Sequence, residues 1–249
     1  MLTQGNFYKI LTEKRNDADY LKACIVDVVE KLLASNTDIH KPGMLLGKIQ
    51  SGKTRAFIGV IALAFDNHYD MAIVLTKGTN ALAKQTYERL KNDFREFYRN
   101  DEVEICDIMH LPRNYTGYEL RKKLIIVVKK ETNNMRRIIE ALVNTYPDLR
   151  ARKLLIIDDE ADYASIGFRM NRNEGIIEIN RIAEQINELR GKIALYDFLQ
   201  VTATPYSLYL QPEELRIEES RIFKPVRPAF TVLSPVYEGY IGGEYYFDE

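Results

Sequence analysis

The sequence predicts an α/β fold of three layers, a mainly parallel sheet covered by helices on both faces. Three observations predict it. Short β-rich runs alternate with helical patterns along the chain. Those runs are apolar almost without a break, as strands buried on both faces must be. A glycine-rich loop, GKIQSGKT from Gly47 to Thr54, joins one such run to a helical pattern.

The elements follow in order. From Asp19 to Leu33 the apolar residues Leu21, Cys24, Ile25, Val28, Val29 and Leu32 fall at helical spacing, until Asn36, Thr37 and Asp38 break the pattern. The run MLLGKI at Met44 reads as a strand and AFIGVIALAF as the helix after it. MAIVLT at Met71 is a second strand, with a long helix from Asn80 to Tyr98. VEICDI at Val103 and LIIVV at Leu124 are two more strands, and a helix is expected near Asn134 to Thr145. LLIID at Leu154 and FLQVTAT at Phe198 complete the strands. Between Ser165 and Ile177 the stretch SIGFRMNRNEGII is polar and rich in Gly and Asn, and reads as an exposed loop. Beyond Gln211, Pro212, Pro225, Pro228 and Pro235 punctuate an irregular tail. Three segments result: a helical extension over residues 1–40, a main domain over 41–210 and a tail over 211–249.

Composition excludes several classes. The 249 residues are 46% hydrophobic and 29% charged, which is ordinary for a folded domain and unlike a disordered or fibrous chain. The formal charge of −1 means that nucleic-acid binding must use a local basic patch, not an overall field. Cys24 and Cys106 have apolar neighbours and no CxxC spacing, so buried thiols are expected in place of a disulfide or zinc site. The polar N-terminus and the absence of a membrane-length apolar run lead to the expectation of a cytoplasmic protein with no membrane partner.

Three stretches carry chemistry. GKIQSGKT fits G-x-x-x-x-G-K-[ST], in which main-chain N–H groups curl around phosphate oxygens, the Lys reaches the outer phosphates and the hydroxyl holds Mg²⁺. The following helix puts its positive N-terminal end at the same place. Gly47, Gln50, Ser51, Gly52, Lys53, Thr54 and Arg55 are therefore the candidate nucleotide contacts. In LLIIDDEADYAS, carboxylates cluster at the C-terminal end of a buried strand, where open α/β sheets bind ligands. A solvated acidic turn is the plain alternative, and pairing with a phosphate loop argues against it. There Asp159 is the candidate Mg²⁺ ligand and Glu160 the group that polarises an attacking water, with Lys53 the other catalytic candidate. In QVTATPYS, Thr202 and Thr204 sit at a strand end, where short hydroxyls can bond both a carboxylate and the next loop.

GKIQSGKT, DDEAD and TATP, in this order, resemble motifs I, II (the DEAD box) and III of the superfamily 2 helicases. Together with VLTKGTNALAKQTYERL and the tail SPVYEGYIGGEYYF they are similar to the bacterial Z-one domain family of helicase-like ATPases linked to restriction and phage defence. The resemblance implies a RecA-like P-loop NTPase domain that uses ATP and Mg²⁺, acts on nucleic acid, with DNA expected, and serves a nuclease partner. It implies that Thr202 and Thr204 couple nucleotide state to domain movement. It also implies that Thr76, Lys77, Asn80 and Gln85 lie along a nucleic-acid backbone, as do Lys129, Lys130 and Asn133. A second RecA-like domain carrying an arginine-rich motif is expected beyond the tail, and no upstream adenine-reading Gln is visible.

The remaining features have plainer readings. His40, His68 and His110 form no pair with each other or with carboxylates, and read as solvated or capping groups. Arg121-Lys122-Lys123, Lys129-Lys130 and Arg136-Arg137 can line a phosphate track or simply be solvated faces. Tyr237, Tyr240, Tyr245 and Tyr246 can stack on bases or pack against a neighbouring domain. Two other functions stay open on the residues alone: a nucleotide-gated protein-interaction module and a small-molecule kinase.

Overall fold

The structure is a computed structural model. It describes residues 2–37, 41–48, 52–77, 79–161, 181–203 and 227–235, together with the strand backbones at 168–171, 176–179, 215–218 and 221–223. The main sheet holds β1 (Gly43–Leu46), β2 (Met71–Thr76), β3 (Val103–Asp107), β4 (Lys123–Lys129), β5 (Lys153–Asp159), β8 (Leu195–Thr202) and β11 (Phe230–Leu233). The strand order is β11-β1-β8-β5-β2-β4-β3, and every pairing in it is parallel. Parallel neighbours need crossovers, and the helices supply them.

One face of the sheet carries α1 (Asn6–Lys14), α2 (Asp19–Ala34), α3 (Lys53–Asp66), α4 (Asn80–Asp93) and the short α5 (Arg95–Arg99). The other carries α6 (Thr132–Glu140), which runs into a π-type turn at Ala141–Thr145, and α7 (Arg181–Gly191). The helix after the phosphate loop, α3, is apolar all round, and every residue from Ala56 to Phe65 is buried, because α1 and α2 close over it from outside. That closeness requires a glycine: a Cβ at Gly59 would collide with Ile25 Cδ1 on α2. Burying a side chain such as Phe57 or Ile61 is worth about 1.5–3 kcal/mol, so the helices of the first forty residues are part of the main core.

A buried carboxylate fixes the far end of that packing. Asp197 on β8 accepts hydrogen bonds from Tyr69 Oη and Thr37 Oγ1, each at 2.6 Å. Burial followed by the Asp197 charge drives the Tyr69 hydroxyl far above its ordinary titration range, so it stays a donor.

Three segments differ from the expectations. The stretch read as a loop contains two paired antiparallel strands, β6 (Phe168–Asn171) and β7 (Ile176–Ile179). The helix α7 was not expected, although Ile182, Ala183, Ile186 and Leu189 have helical spacing. In the tail, β9 (Leu215–Glu218) pairs antiparallel with β10 (Arg221–Phe223), and β11 joins the main sheet beside β1. The four residues FTVL between Pro228 and Pro235 suit an edge strand, because prolines stop a strand at its ends without removing an interior bond.

Candidate functional site

Three strand ends meet where the motifs were expected to converge. Leu46 at the end of β1 is in register with Thr202, and Val201 with Asp159, so the phosphate loop, the TAT stretch and the acidic stretch leave neighbouring strands at one edge. Main-chain bonds join them: Gly47 N donates to Thr202 O at 3.1 Å and Ala161 N to Val201 O at 3.0 Å.

Gly52 has φ of +87°, a left-handed turn natural to glycine, and it delivers the chain into α3. Lys53 follows as the first helical residue. Its side chain folds back on the loop, with Nζ donating to Lys48 O at 2.9 Å and Gly47 O at 3.4 Å. Burial lowers its pKa, while the charges of Glu160 and then Asp159 act in the opposite sense. Asp159 is pushed up to about 6, first by burial and then by the Glu160 charge, with Lys130 pulling the other way. Glu160 has φ of +54°, uncommon for a residue with a Cβ, and its amide donates to Asp159 Oδ1 at 3.1 Å. The wall beside Gly52 and Thr54 opens into a cleft of about 510 Å³ that also touches Lys14, Arg15, Arg89 and Asp93.

Arg55 is placed differently from the expected nucleotide contact. Its Nε donates to Asp17 Oδ1 at 2.6 Å, and it also bonds the main-chain oxygen of Arg15. Asp17, fully buried, takes Arg15 as well, and Arg15 reaches Asp93 on α4 at 3.3 Å. This network ties α1, α3 and α4 behind the phosphate loop.

The nucleic-acid candidates divide into two groups. Lys77 just past β2, Asn80 and Gln85 on α4, and Asn133 on α6 are exposed, and Lys129 Nζ donates to Asn80 Oδ1 at 2.8 Å, linking the two segments. Thr76 is buried, with its hydroxyl unpartnered. Lys130 is the correction: it is not a surface partner of Lys129 but lies inside, its side chain 3% exposed and 2.9 Å from Asp158 Oδ1. Lys130 directly follows β4, whose residues are buried on both faces, so nothing in its local pattern marks it as internal. Gln50, Ser51 and Thr204 lie outside the described residues, as do His40 and the tail tyrosines.

The donor set suits a small hard cation. A Thr hydroxyl and an Asp carboxylate are oxygen ligands, and Mg²⁺ takes one or two carboxylates with substrate phosphates and water rather than an all-protein cage. Among the described residues no group of three or more His, Cys, Asp and Glu forms such a cage.

The family described as Type III restriction enzyme, res subunit (ResIII), matches residues 19–207. The chain belongs to the ResIII family. Among solved structures, this ResIII chain is similar to the DUF1998 helicase MrfA bound to DNA, at a TM-score of 0.52 and 16% identity over 80% of this chain and 26% of that one. The same helicase bound to DNA and AMPPNP gives a TM-score of 0.50, with 16% identity, 80% and 26%. RecG bound to a three-way DNA junction gives 0.45, with 14% identity over 89% of this chain and 24% of that one. The ResIII chain therefore spans about a quarter of the length of these helicases. The likeness to MrfA is one of fold, and the fold is that of a RecA-like helicase domain. No curated protein sequence matches the chain. Among the described residues no helix is long and apolar enough to cross a membrane.

Proposed function

We propose that this chain is the N-terminal RecA-like domain of a helicase-like ATPase that binds ATP with Mg²⁺, hydrolyses it and acts on DNA. The observation that carries the reading is that the phosphate loop, the TAT stretch and the acidic turn leave neighbouring strands at one edge, where Gly47 bonds Thr202 and Ala161 bonds Val201. A glycine turn into a helix N-terminus, one ammonium and two carboxylates at one sheet edge are the equipment of phosphoryl transfer.

In this reading Lys53 leaves the carbonyls of Gly47 and Lys48 to meet the outer phosphates, while the first amides of α3 donate to phosphate oxygens. Thr54 and Asp159 would hold Mg²⁺, which would supply positive charge to offset that of the phosphates. Glu160 orients the attacking water and takes its proton. Thr202, buried and bonded through its carbonyl to Gly47, moves with the loop and so carries nucleotide state into the sheet. The cleft beside Thr54 is the room left for the nucleoside. Lys77, Asn80, Gln85, Lys129 and Asn133 form the DNA-facing edge.

The finer reading follows the motif resemblance: a Z-one type protein of bacterial restriction or phage defence, cytoplasmic, working with a second RecA-like domain and a nuclease partner. Family membership and the DNA-bound MrfA fold neighbours support its nucleic-acid side. The second reading, a nucleotide-gated interaction module, is favoured by the Lys129–Asn80 bond, which occupies two of the candidate DNA contacts with each other. ATP titration with and without Mg²⁺, followed by phosphate release with and without duplex and single-stranded DNA, separates the two. Binding of Mg-ATP with DNA-stimulated release supports the motor. Binding with no effect of DNA on release or affinity supports the module, and no binding overturns both.

A further inference from the structure

We propose that Lys130 is a positioning residue of this site: its buried ammonium fastens the Asp159–Glu160 turn to the end of β4, so the Lys129–Asn133 segment sets where the two carboxylates point. The proposal rests on the reading of those carboxylates as the pair facing metal and water.

The geometry is specific. Lys130 Nζ lies 2.9 Å from each of three acceptors: Asp158 Oδ1, Asp159 O and Glu160 O. An ammonium has three N–H donors, enough to serve Asp158 Oδ1 and both of these main-chain carbonyls. Two of them go to consecutive main-chain carbonyls around Glu160, the residue whose φ of +54° places it in the left-handed region. For a residue with a Cβ that conformation is unfavourable by itself and needs its surroundings to hold it. The next amide, Ala161 N, is pinned to Val201 O at 3.0 Å, so the turn is gripped from β4 on one side and β8 on the other.

The ammonium is also well connected to the other end of its own chain. Lys130 N donates to Thr76 O at 2.9 Å, which sets the residue across the end of β2, and Leu75 on that strand is in register with both Val128 and Asp158. Lys130 is thus the residue of β4's end that reaches over β2 to β5. Its neighbours contact the exposed edge: Lys129 bonds Asn80 at 2.8 Å, Glu131 caps α6 by accepting from Asn133 N at 3.1 Å, and Thr132 O accepts from Gln185 at 3.0 Å. A ligand that shifts this segment shifts the ammonium, and with it the carbonyls on either side of Glu160.

A buried charge pair whose second carboxylate oxygen is unpartnered is a poor device for stability alone. Asp158 Oδ2 is such an atom, and Asp158 and Lys130 side chains are 0% and 3% exposed. Replacing a buried pair by apolar groups of similar size is often neutral or stabilising, so the pair is better accounted for by what it holds in place.

The test uses Lys130→Met combined with Asp158→Leu, which removes the clamp without stranding a charge, and Lys130→Arg alone, which keeps the charge but cannot bring three donors to one point. Hydrogen exchange of the amides of residues 159–161 is measured beside thermal unfolding, and the Mg²⁺ concentration for half-maximal ATP binding beside ATP affinity in EDTA. Both variants are expected to stay folded with metal-free ATP affinity within about threefold of the parent. Exchange at residues 159–161 should rise about tenfold or more, and the Mg²⁺ requirement should rise about 10- to 100-fold, as for groups that orient a metal ligand. If the double variant does not fold, Lys130→Arg decides alone. Folded variants with parental exchange and Mg²⁺ requirement overturn the proposal. If the parent chain binds no ATP, the ATPase reading falls, and exchange still decides whether Lys130 holds the turn.

Discussion

Gly47 donates its amide to the carbonyl of Thr202 at 3.1 Å, and this bond closes the loop between the first and last of the three site motifs. Since Thr202 ends β8 and Val201, one residue before it, accepts from Ala161, the phosphate loop and the acidic turn hang on one strand. The two are joined through β8 by main-chain bonds, without any side chain in between.

Lys53→Ala should remove most ATP affinity while leaving stability close to that of the parent. The ammonium's bonds in this structure are to loop carbonyls, which water can satisfy, so the fold loses little. Bonds from a charged donor to phosphate are about twice as strong as neutral ones. Calorimetric titration with ATP, beside a thermal melt, checks both halves. Parental affinity in a folded variant contradicts the phosphate-loop assignment.

Asp17→Ala should destabilise the chain by about 3–5 kcal/mol, because it leaves Arg15, whose side chain is 6% exposed, as a buried cation without its main partner. Arg55→Ala should cost far less, since the Arg55 side chain is 47% exposed and Asp17 keeps Arg15. Urea unfolding of both variants orders them. Equal losses would mean that the network is held by Arg55 rather than by the buried Arg15–Asp17 pair.

Much of this was legible in the sequence where a residue pattern reports on its own strand or helix. The unbroken apolar runs gave β2, β4 and β5, and Gly52-Lys53-Thr54 after a strand gave the start of α3. What depends on contacts between distant segments was not legible. Lys129-Lys130 reads as a surface pair because both are lysines, yet one reaches out to Asn80 and the other in to Asp158. Arg55 follows the phosphate loop and reads as its extension, but Asp17, 38 positions earlier, takes its side chain. The strand β11 is four residues between prolines and acquires its partner only when Gly43–Leu46 offers a free edge. In each case the deciding group lies far along the chain.

Asp159→Asn should stabilise the nucleotide-free protein, and by an amount that depends on pH in a set direction. The folded pKa of Asp159 is about 6 against an ordinary value of 3.8, with burial the first cause and the Glu160 charge the second. Between those two values the folded state holds a proton that the unfolded state has released, so stability falls as pH rises from about 4 to 6. Above that window the charged carboxylate burdens the fold by an amount of the order of 3 kcal/mol at most, and below it the burden is gone. The amide of Asn carries no charge and its oxygen can still accept from Glu160 N, so the variant escapes the burden without losing that bond. Urea unfolding at pH 8 and pH 4 should therefore show a gain for Asp159→Asn at pH 8 that shrinks towards zero at pH 4. Mg²⁺ with ATP should supply the same gain to the parent chain at pH 8, because an opposite charge beside the carboxylate favours its ionised form. The variant should gain less from Mg²⁺ than the parent does. A variant less stable than the parent at pH 8, or a gain that grows on acidification, would show that Asp159 is comfortable as an anion in this site, and the reading of it as a carboxylate placed for a cation would fail.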